Sequence, residues 1–402
     1  MLSLLLATTS VVAAPANVAP PPDATPPHAR VRAALADFDT WVGQLDASGR
    51  VSGLSVAIVV GGKVRYERSI GHTDAGSREP VTPETVFRVA SLSKAFASAL
   101  AGLLVRQGHF TWDTRIADVL PFFRLKDDAS TQRLRVRDLL SQRTGLPHNT
   151  YDRLLEQDVS YEELVRRLDR VDLTCEVGKC YGYQNIAFSL LGDVVYARTG
   201  DFFDHQVAKH LFLPLEMHSA SYGRTALEHN RSWARPHVVR DGRFVALVPK
   251  PNYYRVSPAA GVNASLRDME KWLIAQMGGR PDVLPGLLLD VLHAPVVDTP
   301  DQLRLSPWRR ARLTRAGYAL GWRIYDYAGT TLVYHAGAVE GYRAMIGFLP
   351  KLDVGMVMLW NCNCAAPSGL MPMLFDRMLG LPDQDWADLH PAKHRAKRLP
   401  RH

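Results

Sequence analysis

The chain has 402 residues, 47% of them apolar, and a formal net charge of +8. That length and apolar share support a large buried core in one domain or two lobes, and they exclude a mostly disordered chain. The charge alone points toward nucleic acid, but much of the excess sits in two short runs: Arg304, Arg309, Arg310, Arg312 and Arg315, then Lys393, Arg395, Lys397, Arg398 and Arg401. Neither run carries a nucleic-acid motif or interleaved stacking aromatics, so both read as solvated surface and no nucleic-acid partner is expected.

Residues 1–16, an apolar run closed by Ala14-Pro15-Ala16, read as a signal peptide, which predicts a secreted or periplasmic protein. Residues 17–30 hold Pro20, Pro21, Pro22, Pro26 and Pro27 and read as an extended linker. No later segment is long and apolar enough to predict an integral membrane span. Val31, Leu35, Phe38, Val42 and Leu45 recur at intervals of four and three, the period of one helical face. Two strands over 54–60 and 63–69 flank Gly61-Gly62, a hairpin signal. Leu92, Phe96, Leu100, Leu103 and Leu104 mark the buried face of a helix that opens at Ser91 and stops at Gly108.

Further helices are expected over 136–140, 161–168, 186–196, 203–211 and 266–277. Strands follow over 331–334, 344–349 and 355–360, then a closing helix over 370–379. Strands from both ends make one antiparallel sheet flanked by the terminal helices, with a mostly helical lobe inserted, an α/β (α+β) fold. In this reading residues 31–125 and 315–386 form the sheet lobe, 126–314 the helical lobe and 387–402 a basic tail, with the active site between lobes. The four cysteines allow three pairings. Cys175 and Cys180 flank a turn that a disulfide can close, whereas Cys362 and Cys364 stand too close to be comfortable partners. Their spacing does not suit zinc, so no metal is expected.

Ser91 and Lys94 lie three apart, which sets a hydroxyl and an amine on one side of a helical turn, where the lysine can ease loss of the serine proton. At the helix start, the Ser91 backbone N–H has no intrahelical partner and is free for an oxyanion. S-x-x-K by itself arises about once by chance in a chain of this size. Its company is more specific: Tyr183-Gln184-Asn185 is the only Y-x-N in the chain, and His335-Ala336-Gly337 the only H-x-G. No serine has glycines two before and two after it, and there is no H-E-x-x-H, so nucleophile-elbow and zinc-protease chemistries find no support.

In order and rough spacing these three motifs resemble the active-site motifs of the class C β-lactamase and penicillin-recognising family, which includes D,D-peptidases, D-aminopeptidases and esterases. The likeness runs from about Val51 to Asn361, through Thr85-Val-Phe-Arg-Val-Ala-Ser91-Leu-Ser-Lys94, Leu139-Leu140, Thr144-Gly-Leu-Pro147, Pro214-Leu-Glu-Met217, Tyr318-Ala-Leu-Gly-Trp322, Gly341-Tyr342 and Leu359-Trp-Asn361. It implies a β-lactamase/transpeptidase-like fold and a serine hydrolase that works through an acyl-serine intermediate, with no cofactor, on a small-molecule or peptide amide or ester: a D-peptide, a small ester or a β-lactam. It implies Ser91 as nucleophile, Lys94 as its electrostatic partner and Tyr183 as general base. Asn185 would orient Lys94 and hold a substrate amide, Gly337 and Ala338 would lie on an edge strand whose Ala338 N–H completes the oxyanion site, and Asn149 would border the acyl group.

A phenol of pKa about 10 needs a shift of about three units, about 4 kcal/mol, to act as a base near neutrality. One ammonium about 4 Å away at an effective dielectric near 20 supplies that, so Lys94 is expected to pull the Tyr183 pKa down. His335 stands where the family commonly has lysine, and Ala336 where it has threonine, so the usual carboxylate grip is missing and weak β-lactamase activity is expected. The alternatives are a carboxylesterase, or a catalytically inactive scaffold that binds cell wall or a protein.

Overall fold

The computed structural model describes residues 28–390. The expected signal peptide, the linker up to residue 27 and the tail after His390 lie outside the described residues. In chain order the strands are β1 (Gly53–Val60), β2 (Lys63–Gly71), β3 (Val86–Arg88), β4 (Ser221–Tyr222), β5 (His237–Arg240), β6 (Arg243–Ala246), β7 (Val262–Ser265), β8 (Val297–Asp298), β9 (Leu313–Tyr318), β10 (Arg323–Tyr327), β11 (Thr330–Val339), β12 (Tyr342–Leu349) and β13 (Val354–Trp360). The main sheet runs β2-β1-β13-β12-β11-β10-β9-β8 with every neighbour antiparallel. A smaller sheet, β3-β7-β4, lies on the segment that leads into Ser91, and β5 pairs with β6.

The sheet is covered on both faces, which is why β1 reads as an unbroken apolar run rather than an alternating one. Leu54, Val56, Ile58 and Val60 point to one core, while Ala57 and Val59 point to the other, as the period of two demands. The first core is closed by the helices His28–Ala47 and Leu370–Leu379, through Phe38, Val42, Leu374 and Phe375. The second is closed by helices that include Ser93–Arg106 and Leu266–Gln276, with Phe96 stacked on Trp272 at 3.8 Å between ring centroids.

The predicted mixture of antiparallel sheet, terminal helices and a helix-rich middle is the observed architecture. The first helix starts at His28, so it takes in the last three residues assigned to the linker. At the other end Ala387 and Leu389 pack on the first core, so the packed chain continues past residue 387, the expected start of the tail. The strands β8, β9 and β10 extend the sheet past β11, where no strand was expected: the apolar alternation is broken there by Arg315 and Arg323. The Ser93–Arg106 helix is buried almost all round rather than on one face, because Ala95, Ala97, Ala99, Ala101 and Gly102 let neighbours close in on every side. A Cβ on Gly102 would collide with Leu288.

Both cysteine pairs are joined, Cys175 with Cys180 and Cys362 with Cys364. The second pairing corrects the sequence expectation: just past the end of β13, the chain bends and brings the two Cα atoms to 5.2 Å, within disulfide range. Two of the five residues of the first arginine run are engaged in the fold, while Arg304, Arg310 and Arg315 are exposed as expected. Arg312 forms a two-pronged ion pair with the buried Asp376, and Arg309 is buried on Gln302 at 2.9 Å. No helix among the described residues is long and apolar enough to cross a membrane.

Candidate active site

The nucleophile turn is built by strain and two anchors. Ala90 takes a left-handed φ of 50°, rare for a residue with a Cβ, and turns the chain from β3 into a single tight turn, Ala90–Leu92, that carries Ser91. The α-helix proper begins at Ser93, two residues later than expected. Val89 N–H donates to Val262 O at 3.1 Å, and Ser93 Oγ accepts from Val262 N–H at 3.0 Å while donating to Ala90 O at 2.6 Å, so β7 holds both ends of the turn. Ser91 itself remains partly exposed.

Lys94 lies one turn further in and is fully buried, with 0% of its surface exposed. Its Nζ donates to Asn185 Oδ1 at 2.7 Å and to Ala259 O at 3.1 Å. Burial pushes its pKa well below the usual lysine value; the Asp152 carboxylate opposes that shift and the Arg323 charge adds to it. Lys94 Nζ sits over the face of the Tyr183 ring, 4.5 Å from its centroid.

Tyr183 departs from the electrostatic expectation. Burial raises its phenol to about 12, against opposing effects of Arg323 and of the neighbouring Ser91 hydroxyl. The amine expected to lower it meets the ring face, and the same burial disfavours the amine's own charge. The phenol therefore rests protonated beside the Ser91 hydroxyl.

The loop carrying Tyr183 and Asn185 is locked to the 142–149 loop by reciprocal amide bonds. Gln184 N–H donates to Gln142 Oε1 at 2.7 Å, and Gln142 Nε2 returns a bond to Gln184 O at 3.2 Å. Asn149, exposed and in a left-handed turn with φ 55°, donates its N–H to Tyr183 O at 2.7 Å, which fixes it at the rim. His148 Nδ1 accepts from Tyr183 N–H at 3.0 Å.

On the opposite wall, β11 pairs with β10 only as far as Tyr334 opposite Arg323, while its pairing with β12 continues to Val339. From His335 onward β11 therefore has one free edge, and that edge faces the nucleophile turn. Gly337 fits against it so closely that a Cβ there would overlap the Val89 carbonyl and approach the Ser91 backbone nitrogen to 3.2 Å. Ala338 is exposed beside it.

His335 is only 1% exposed, and both ring nitrogens have partners: Nδ1–H donates to Ala336 O at 2.9 Å, and Nε2 accepts from the Tyr318 hydroxyl at 3.3 Å. Burial, with the Arg323 charge behind it, pushes its pKa well below the usual histidine value. The ring is thus a neutral brace within the wall. The structure gathers Ser91, Lys94, Tyr183, Asn185, His335 and Gly337 around one site, with Asn149 and Ala338 at its edges.

Three residues escaped the sequence reading. Arg323 crosses the wall between Tyr183 and Tyr318, 5.5 Å and 5.7 Å from their ring centroids, and donates to Tyr181 Oη at 3.2 Å. It makes no ion pair among the described residues, and an arginine stays charged throughout the working pH range. The clue was its place directly after Tyr318-Ala-Leu-Gly-Trp322. Tyr318 lay within that quoted segment and was given no role. Asp152 accepts from Asn185 Nδ2 at 2.8 Å, and nothing local in the sequence marks it. Behind Tyr181 and His148 lies a cavity of about 400 Å³, lined also by Lys179, Asp298, Thr299, Asp301 and Gln302. Among the described residues, no three His, Cys, Asp or Glu side chains gather as metal ligands do.

The β-lactamase family model matches residues 38–370. Protein flp of Staphylococcus aureus strain MW2 is 23% identical over 328 residues, 81% of this chain and 63% of that protein. Unguisins hydrolase ungD' of Aspergillus campestris is 26% identical over 366 residues, 87% of this chain and 67% of that protein. The chain thus spans about two thirds of the length of these relatives. The structure of the octameric penicillin-binding protein homologue from Pyrococcus abyssi superposes with a TM-score of 0.77 at 22% identity, covering 89% of this chain and 80% of that one. A family model that spans most of the described chain, on a fold shared with that homologue, places this protein in the β-lactamase family.

Proposed function

We propose that the protein is a serine hydrolase that cleaves amide or ester substrates carrying a carboxylate, through an acyl-Ser91 intermediate. The observation that carries this reading is the buried Lys94 amine, bonded to Asn185 and lying under the Tyr183 ring, with the Tyr183 hydroxyl at Ser91. A structural core has no use for a desolvated amine in that setting, whereas a base needs a lone pair. Ser91 Oγ attacks the substrate carbonyl carbon. Its proton goes to Lys94 in its unprotonated form, which burial favours, with the Tyr183 phenol as the intervening hydroxyl. The tetrahedral oxyanion is received by the backbone N–H groups of Ser91 and Ala338. As the acyl bond to the leaving group breaks, the same relay returns the proton to the departing amine or alkoxide, and water then repeats the sequence to free Ser91.

Arg323 supplies the permanent cation that His335 cannot, and Tyr181 and Tyr318 flank it on the wall where a substrate carboxylate would lie. A peptide with a free C-terminal carboxylate fits this better than a neutral ester. The direct test is mass spectrometry after exposure to a fluorophosphonate, in which a Ser91 Oγ–P bond forms and fluoride leaves. A single adduct on Ser91, absent from Ser91→Ala, is expected; an unlabelled protein would sink the enzyme reading in favour of a binding scaffold. Arg323→Gln is expected to lower kcat/KM for a D-alanyl peptide with a free carboxylate by about 10- to 100-fold, the loss of one charged hydrogen-bonding partner. The same change should leave a neutral nitrophenyl ester within about threefold. Equal losses on both substrates would remove the carboxylate assignment.

A further inference from the structure

Asp152 has no reason to be where it is unless it serves the site. It follows Tyr151, which takes a left-handed φ of 65°, and its own N–H donates to Asn149 O at 3.1 Å. The loop that sets Asn149 at the rim therefore turns Asp152 inward. There Oδ2 accepts from Asn185 Nδ2 at 2.8 Å, and Oδ1 is buried without a partner. The other side of the same carboxamide, Asn185 Oδ1, accepts from Lys94 Nζ at 2.7 Å.

A carboxylate only accepts, so its position dictates which way the Asn185 amide faces: nitrogen to Asp152, oxygen to Lys94. The chain Asp152, Asn185, Lys94 is thus ordered from its outer end. We infer that Asp152 is a positioning residue of the proposed chemistry, which holds the Asn185 carboxamide toward Lys94 and supplies the buried negative charge against which Lys94 gains or releases its proton. This rests on the reading of Lys94 as the proton acceptor.

The groups that face this pair come from several elements. Lys94 projects from the Ser93–Arg106 helix, Glu156 from the short Asp152–Glu156 helix itself, and Tyr253 from the Asn252–Val256 turn, where its hydroxyl donates to Glu156 at 3.1 Å. Tyr183 lies above, and Arg323 and His335 stand on the far wall. Burial and Glu156 favour the neutral acid at Asp152, while Asn185 and Lys94 favour its anion. Burial and Arg323 favour the neutral amine at Lys94, and Asp152 alone opposes them. Asp152 is therefore the group whose removal acts on the amine in one direction: without its charge, Lys94 loses its proton at lower pH.

The test follows the rate of fluorophosphonate labelling at Ser91 against pH, on the full chain, for the wild type and for Asp152→Asn, Asp152→Ala and Asp152→Glu. Asp152→Asn keeps an acceptor for Asn185 but no charge, and the rise in rate that marks deprotonation of Lys94 is expected to move down by about one pH unit. Asp152→Ala loses the acceptor as well, and its plateau is expected to fall at least tenfold below that of Asp152→Asn, because the freed carboxamide no longer holds Lys94. Asp152→Glu keeps the charge and is expected to keep the wild-type midpoint, a readout available even if the neutral variants fold poorly. Superimposable wild-type and Asp152→Asn profiles, or a midpoint in Asp152→Glu displaced by about one unit, would overturn the role of Asp152. A wild type that does not label at any pH would overturn the hydrolase reading on which it stands.

Discussion

Replacing Lys94 by methionine is expected to slow acylation of Ser91 by about 10³-fold, the range for losing a positioned acid–base group. The side chain is fully buried, so neither solvent nor another amine can take its place. Methionine matches its length and fills its volume, which isolates the loss of the amine from a loss of packing. Stability responds to two opposing changes. Removing a desolvated polar head is favourable, as in buried ion pairs exchanged for apolar groups. Leaving Asn185 Oδ1 and Ala259 O without their donor costs about 1–3 kcal/mol for each buried acceptor. The net change is expected to stay under about 5 kcal/mol, with a cooperative transition in urea. Labelling kinetics and denaturant unfolding on the same preparation separate the two effects. A variant that labels at the wild-type rate would show that Lys94 is not the acceptor, and the Tyr183 phenol would then need another source of basicity.

The parts of the fold that were legible are those whose apolar residues are dense. The run Leu54 to Val60 is almost wholly apolar and rich in β-branched residues, the helix from Leu370 to Leu379 is dominated by leucine and methionine, and the structure places both within one residue of expectation. Where the apolar pattern is broken by a working residue, reading stopped. On apolar pattern alone β11 is expected over 331–334, because His335-Ala336-Gly337-Ala338 interrupts the pattern; only the family resemblance carries an edge strand on to Ala338, and the strand runs to Val339. Those four residues are the wall of the site, and the interruption is the price of their use. The strands β9 and β10 were missed where arginines break the apolar pattern, the exposed Arg315 in one and Arg323, a site residue, at the start of the other.

Motif residues could be listed from the sequence, but their electrostatics could not. The expected drop in the Tyr183 pKa assumed a charged amine close to the phenolic oxygen. Whether Lys94 meets the hydroxyl or the ring face, and whether it is charged at all, depends on the Ser93–Arg106 helix being wrapped on every side, a fact that Ala and Gly positions do not announce. Asp152 was invisible for a simpler reason: a lone aspartate far along the chain from Ser91 has no spacing to betray it, whereas the one clue to Arg323 was its place directly after Trp322. With Arg323 in place, the absence of a lysine ahead of Gly337 no longer implies an uncharged site; the cation has moved from β11 to the neighbouring strand β10.

Gly337→Ala is expected to lower acylation by about 10²–10³-fold, the loss that follows removal of one oxyanion donor. The added methyl would overlap the Val89 carbonyl and stand 3.2 Å from both Ala90 Cβ and the Ser91 backbone nitrogen. None of these atoms can step aside cheaply. The Val89 carbonyl accepts the Leu92 N–H at 3.2 Å, and Ala90 already occupies a left-handed conformation that a residue with a Cβ rarely takes. A flexible side chain would yield to the methyl, but backbone held at both ends by β7 does not. The free edge of β11 must therefore draw back from the turn, which parts the Ser91 and Ala338 N–H groups that are to converge on one oxygen. The strain itself is expected to cost about 1–3 kcal/mol of stability, as overpacking does. Because Lys94, Asn185 and Tyr183 are untouched, the pH dependence of labelling should keep the wild-type midpoint while its amplitude falls. Wild-type rate and stability in this variant would mean that the strand edge and the nucleophile turn are not in contact in solution, and the oxyanion site would have to be sought elsewhere.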